Sequence, residues 1–339
     1  MQTLSAMQYK STRVWLLLGA SLIAAALGAI MLGAYSLTWR SVLSFDLSSQ
    51  DWMILWHIRL PRVLLAGIVG AALAVSGAAL QGLFRNPLAD PGLIGISSGS
   101  ALAAALVIVL FPFSAGWLGL YGLSVAAFLG GGATCWLIFK VGQLGAASSV
   151  AHLILAGIAV NALCGAAVGF MTYLSTYEQQ RTLAFWTMGS FGGALWPAVG
   201  VSFTITLPVI AMLMRHSGDL NRLLLGEQEA RYLGTDTEKL KTRVILLSAV
   251  TVGAAVAVSG IVGFVGLVAP HLVRLLWKAD HRVLIPASAV LGAVLTISAD
   301  TLARTLFAPA EMPVGILTSL IGGPFFLWLL LSRKSGVRQ

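Results

Sequence analysis

Charge is scarce in this sequence. Lysine, arginine, aspartate and glutamate make up 10% of its 339 residues, against about 25% in a soluble domain. With 58% hydrophobic residues and a mean hydropathy of +0.90, the chain carries more apolar surface than a water-soluble core could absorb. That excludes an ordinary soluble enzyme and makes lipid the solvent for most of the chain. Acidic residues are scarcer still, 12 against 21 basic ones. Histidine is the only ionisable side chain other than cysteine and tyrosine from 92 to 139, 182 to 214, 244 to 273 and 283 to 299. Proton relays and ion pathways need intramembrane carboxylates, so a proton-coupled carrier is disfavoured. The two cysteines, Cys135 and Cys164, lie in apolar runs without metal-site spacing and say nothing about redox compartment. No phosphate loop G-x-x-x-x-G-K-[ST] and no H-E-x-x-H zinc motif occurs. No catalytic residue and no metal site is therefore expected. Any ATPase that drives this chain must be another polypeptide.

What is present reads as membrane helices. The 37 glycines suit close packing between them. Residues 14–34, preceded by Lys10 and Arg13, are longer than the ~7–15 residues of a signal-peptide core, and read as a retained first span. About 20 apolar residues cross a bilayer. That predicts an all-α polytopic protein of ten spans, at 14–34, 62–84, 92–112, 117–139, 149–173, 195–214, 243–260, 263–278, 282–303 and 313–332. As one helix, 243–278 would be about 54 Å long at 1.5 Å per residue. Gly260, Gly263 and Gly266 offer a turn there, and Pro270 predicts a break or kink. Ten spans with a cytoplasmic amino terminus put sixteen of the 21 lysines and arginines inside, as the positive-inside rule asks. Both termini are then cytoplasmic. ALAVSG (72–77) returns as AVAVSG (255–260) and RVLLA (62–66) as RVILL (243–247) in spans of opposite direction. That suggests an inverted repeat, as in many transporters.

Three polar stretches carry the functional information. The longest, 217–243, reads as two short helices ended by Gly226 and Gly234. Its leucines 223, 224, 225 and 233 look like a cytoplasmic docking surface. On the outer side Arg59 and Arg62 flank Pro61, and Arg304 lies four residues after Asp300, spaced to pair with it. Such arginines either snorkel to headgroups or receive a partner's carboxylates. The third stretch is RNPLADPG, 85–92. Asn86 before Pro87 should stop one helix, and Asp90 should cap the next with Pro91 in its first turn. A tight turn needs less specific residues than these. They suggest a rigid corner with Asn86 and Leu88 at the inner mouth.

R-L-P-R, S-G-A-A-L-Q-G-L-F-R-N-P-L-A-D-P-G-L-I-G-I-S-S-G, G-F-V-G-L-V-A-P-H-L-V-R and E-M-P-V-G-I-L-T-S-L-I-G-G-P-F-F together resemble the FecCD-type permeases of ABC importers, over nearly the whole chain. Those carry iron-siderophores, haem or cobalamin into bacteria, and within them the chain is most similar to the haem permeases. The resemblance implies the type II importer permease fold in the inner membrane, working by alternating access. It implies a homodimer with two cytoplasmic ATPase subunits that use the ATP, and a periplasmic binding protein. Neither a permanently bound cofactor nor nucleic acid is implied, so the net charge of +9 concerns membrane sidedness. Carried over, Arg59, Arg62 and Arg304 would dock the binding protein. Leu220, Leu224, Gly226, Glu229, Ala230 and Gly234 would couple to the ATPase. Asn86, Pro87, Leu88, Asp90 and Pro91 would form the cytoplasmic gate with Ser148 and Ser149 of the 145–149 loop. If the cargo is haem, His271 and His281 are candidate contacts, since neutral imidazole ligates iron. The alternatives are a siderophore or cobalamin permease and, from other classes, a secondary carrier or a membrane-embedded enzyme.

Overall fold

The computed structural model describes residues 2–33, 35, 48–111, 117–142, 150–277, 279–308 and 310–334. Among them every regular element is helical: α1 (Gln2–Met31), α2 (Ser49–Met53), α3 (Leu60–Leu83), α4 (Ile96–Leu110), α5 (Trp117–Gly142), α6 (Val150–Leu174), α7 (Tyr177–Met188), α8 (Trp196–Arg215), α9 (Ser217–Leu223), α10 (Glu227–Tyr232), α11 (Thr237–Ser259), α12 (Val265–Trp277), α13 (His281–Thr305) and α14 (Val314–Lys334). Seven helical stretches are long and apolar enough to cross a membrane, in α1, α2–α3, α5, α6, α8, α11 and α13. The apolar helices α4, α12 and α14 are shorter. Together these are the ten predicted runs.

The second run starts earlier than hydropathy suggests, because α2 continues into α3 through a π-helical stretch, Ile54–Arg59. Pro61 explains the widening. It has no N–H, and its ring would crowd the carbonyl four residues back. The Leu60 N–H donates instead to the Leu55 carbonyl, five residues back.

Helix α3 is the centre of the bundle. Nineteen of its 24 residues are buried, the signature of a helix surrounded by others, and it packs on α8, α11, α12 and α13. Small residues make this possible. Gly70 abuts the backbone of Gly292 on α13, and Gly77 abuts that of Gly266 on α12. A side chain at either point would hold the helices apart. Helix α6 instead exposes Leu155, Ile158, Leu163, Phe170 and Tyr173.

The predicted break between spans seven and eight falls at 260–264, where Gly260 and Phe264 have φ of +68° and +65°. Helix α12 continues through Pro270, so of the expected break or kink the break does not occur. The missing N–H of Pro270 frees the Gly266 carbonyl, and Gln81 Nε2 donates to that oxygen at 3.3 Å. The echoed segments lie in neighbouring helices: ALAVSG sits within α3, whereas AVAVSG ends α11.

Candidate functional site

The predicted residues gather at the two ends of α3. At its beginning, Arg59, Arg62 and Arg304 do come together, but they are 3, 6 and 7% exposed. Arg62 is bidentate to Asp300, with Nε to Oδ2 at 2.9 Å and Nη2 to Oδ1 at 2.9 Å, and reaches Glu311 with Nη1 at 3.0 Å. Arg59 donates to the carbonyls of Ile30, Met31 and Tyr35, and Arg304 to that of Ala29. The expected Asp300–Arg304 pair is the loose one, at 3.8 Å; Asp300 belongs first to Arg62, 238 positions away. This hub fastens α1, α3 and α13. The arginines are internal staples, and the group facing solvent is Glu311, whose side chain is 52% exposed. Sequence reading passed over Glu311, whose partner is distant in the chain.

At the other end of α3 lies the corner. The helix is stopped by Arg85, not by Asn86 as pre-proline sterics predict. Arg85 has φ +49°, its N–H donates to Gly82 O at 3.2 Å, and the Asn86 N–H donates to Gln81 O at 3.1 Å. That is a Schellman motif with arginine where glycine is usual. Asn86 then shapes the loop: its Oδ1 accepts from the Leu88 N–H at 3.0 Å. Asp90 caps, but what it caps is a 3₁₀ turn, Pro91–Ile94, through the Gly92 N–H at 2.7 Å. Gly95, at φ +78°, then re-aims the chain into α4. The 3₁₀ turn is held from α6. Asn161 Nδ2 donates to Gly92 O at 3.2 Å, and Gly157 leaves room for the Leu93 carbonyl. Pro91 rests near Gly266 of α12. A lone polar residue in an apolar run was the only sequence signal for Asn161. Ser148 and Ser149 lie outside the described residues.

Against α3 packs α9, which leads into α10; these are the two predicted short helices. Leu220, Leu223 and Ala230 are buried in the core, so they anchor the segment and cannot themselves meet a partner. The outward face is Leu224, Leu225, Tyr232 and Leu233, with Tyr232 90% exposed. Gly226 and Gly234 have φ of +134° and +83° and serve as the turns. The Glu229 carboxylate folds over Gly226, where a Cβ would strike it. Helix α10 is clamped to α11, with Lys241 Nζ donating to Glu227 Oε1 at 2.8 Å and Arg231 Nε to Thr237 Oγ1 at 2.9 Å.

The two histidines are packed between helices. His271 meets the Phe325 ring edge-on, at 5.9 Å between centroids. His281 begins α13 and is 1% exposed. Its Nδ1 faces Asn221 Oδ1 at 2.9 Å, and Asn221 Nδ2 donates to Asp280 Oδ1 at 2.7 Å. Burial would raise the Asp280 carboxyl, but the Arg282 N–H and the Asn221 amide hold it below the usual carboxylate range. Sequence reading also missed α7, although Thr176 and Gln179 form a capping box legible as T-x-x-Q. Among the described residues no group of three metal-binding side chains occurs.

Comparison with known proteins identifies the family. The sequence pattern of the FecCD transport family matches residues 20–332. The hemin transport system permease protein HmuU of Yersinia pestis is 53% identical over 314 residues, 92% of this chain and 93% of its own. The vitamin B12 import system permease protein BtuC of Vibrio cholerae is 39% identical over 284 residues, 84% of each chain. A metal-chelate type ABC transporter in an inward-facing conformation superposes with a TM-score of 0.86 at 38% identity, covering 95% of this chain and 99% of that one. The chain belongs to the FecCD transport family, as a multi-pass, non-enzymatic permease subunit of an ABC importer for metal chelates.

Proposed function

We propose that two copies of this chain form the pathway of an ATP-driven haem importer in the bacterial inner membrane. What supports haem is the margin of similarity, 53% to the hemin permease against 39% to the cobalamin one. Lysines and arginines gathered on the α9–α10 side support cytoplasmic termini. In this reading two ATPase subunits grip the face of Leu224, Leu225, Tyr232 and Leu233. Binding and hydrolysis of ATP move α9–α10, and the 85–91 corner with Ser148 and Ser149 opens as the cytoplasmic gate. Haem contact by His271 requires α12 and α14 to part, whereas His281, 1% exposed and bonded to Asn221, is given no haem contact in this reading. Haem uptake at the wild-type rate by His271→Ala would remove His271 from the pathway.

The deciding experiment is uptake into proteoliposomes holding this chain, its ATPase and its binding protein. Haem, a ferric siderophore and cobalamin are offered in turn. ATP-dependent accumulation of haem alone is expected. Preference for another chelate would reassign the cargo, and uptake without the ATPase would make the chain a secondary carrier.

Docking of a periplasmic binding protein at the arginine hub belongs to the same proposal. Arg62 already satisfies Glu311, so an incoming carboxylate competes with Glu311 for a planar, two-pronged donor. Glu311→Gln should tighten docking at low salt, because the competing charge is gone. Unchanged affinity would separate docking from Arg62.

A further inference from the structure

Asn221 of α9 reaches across to the first residues of α13. Its Oδ1 accepts from the His281 backbone N–H at 2.8 Å and faces the ring Nδ1 at 2.9 Å. Its Nδ2 donates to Asp280, which caps α13 by accepting from the Arg282 N–H at 2.9 Å. An acceptor opposite Nδ1 places the ring proton there, so Nε2 is the bare nitrogen. Nε2 has no hydrogen-bond partner among the described residues. It points at Gly82, where an added Cβ would collide with it and lie 2.9 Å from Cε1 and 3.0 Å from Cδ2. The Gly82 carbonyl in turn accepts from the Arg85 N–H, the bond that sets the left-handed turn into the corner. One row of contacts therefore runs from α9 through Asn221, His281 and Gly82 to Arg85.

We propose that His281 is a positioning residue that carries movement of the α9–α10 segment to the 85–91 corner. One edge of the ring is bonded to the segment that moves, and the other is pressed on the last turn of α3 with no room between. A displacement of α9 cannot be absorbed at a ring packed on both sides, because close-packed interiors transmit strain. It must pass to Gly82, and the next conformational weak point is Arg85, a non-glycine residue in the left-handed region. The inference rests on α9–α10 being the ATPase contact.

The test uses the complete complex in proteoliposomes, with haem as cargo. Haem delivered per ATP hydrolysed is measured, along with ATPase co-purification. His281→Asn keeps an amide opposite Asn221 and withdraws the contact with Gly82. It should leave co-purification and hydrolysis near wild type and lower haem delivered per ATP by about tenfold. Adding Gly82→Ala to His281→Asn returns a methyl to the vacated space and should recover part of the ratio. A merely structural role predicts a different result: uptake and hydrolysis fall together with the amount of assembled complex, and the ratio stays put. That result would overturn the proposal. A Tyr232→Cys cross-link to the ATPase distinguishes the two levels. No cross-link in an otherwise unaltered complex sinks the docking assignment and this inference with it. A cross-link together with an unchanged ratio in the variants sinks this inference alone.

Discussion

Arg62 holds two carboxylates in very different surroundings. Asp300 is buried with it, whereas Glu311 is half exposed. Desolvation decides their relative weight, since a buried cation that loses its partner cannot recover water. Asp300→Ala leaves Arg62 and Arg304 short of a countercharge and should cost about 3–5 kcal/mol. Glu311→Ala removes a screened pair and should cost less than about 1 kcal/mol. Thermal unfolding in nanodiscs measures both, and equal losses would contradict this ranking. The expected i, i+4 pair of Asp300 with Arg304 forms only loosely, at 3.8 Å, because a fork from α3 takes Asp300 with better geometry.

Among the elements, α12 shows how a helix keeps a proline. The orphaned Gly266 carbonyl takes a donor from Gln81 of α3, whose own Oε1 accepts from Arg274 Nη1 at 2.5 Å. Gln81→Leu strips both bonds and should destabilise the bundle by about 1–3 kcal/mol. Pro270→Ala in that background restores an N–H four residues after Gly266 and should regain part of the loss. Additive losses would show that the carbonyl is satisfied some other way. The α10–α11 clamp has a pH signature. The hydrogen bond from Lys241 holds Glu227 below the usual carboxylate range, against the upward push of burial. A depressed carboxyl stabilises the fold above its unfolded pKa, about 4.3, and that contribution fades as pH falls through the folded value. Hydrogen exchange in 227–241 should therefore be flat between about pH 5 and 8 and accelerate only in acid, after correction for intrinsic rates. Loosening near neutrality would exclude Glu227 as the cause.

For the whole molecule, one charge change should separate assembly from transport. Glu229 is exposed on α10, beside the turn at Gly226. Glu229→Lys reverses the charge on the proposed ATPase face without touching the buried anchors Leu220 and Ala230. It should leave thermal stability within about 0.5 kcal/mol of wild type, as surface changes usually do, while haem uptake falls. Full uptake with normal ATPase co-purification would clear this residue of any coupling role.

Hydropathy and helix stops were enough to read ten apolar helices, the two short helices at 217–234 and the polar corner from the sequence. All three are set by local physics: the length of a span, the freedom of Gly226 and Gly234, the cap of Asp90 with Pro91 after it. The motifs at 85–92 and 263–274 likewise carried the family. Partnership could not be read that way. Arg62 with Asp300 and Glu311, Asn221 with His281, and Asn161 with Gly92 are each separated by 60 or more residues, and each apolar helix could bury a polar group in several directions. Whether an arginine faces water or a carbonyl, and whether Leu223 meets a partner or the core, depends on which helices arrive beside it. Packing around α3 settled that, because a buried polar group must be paired by whatever neighbour the fold supplies.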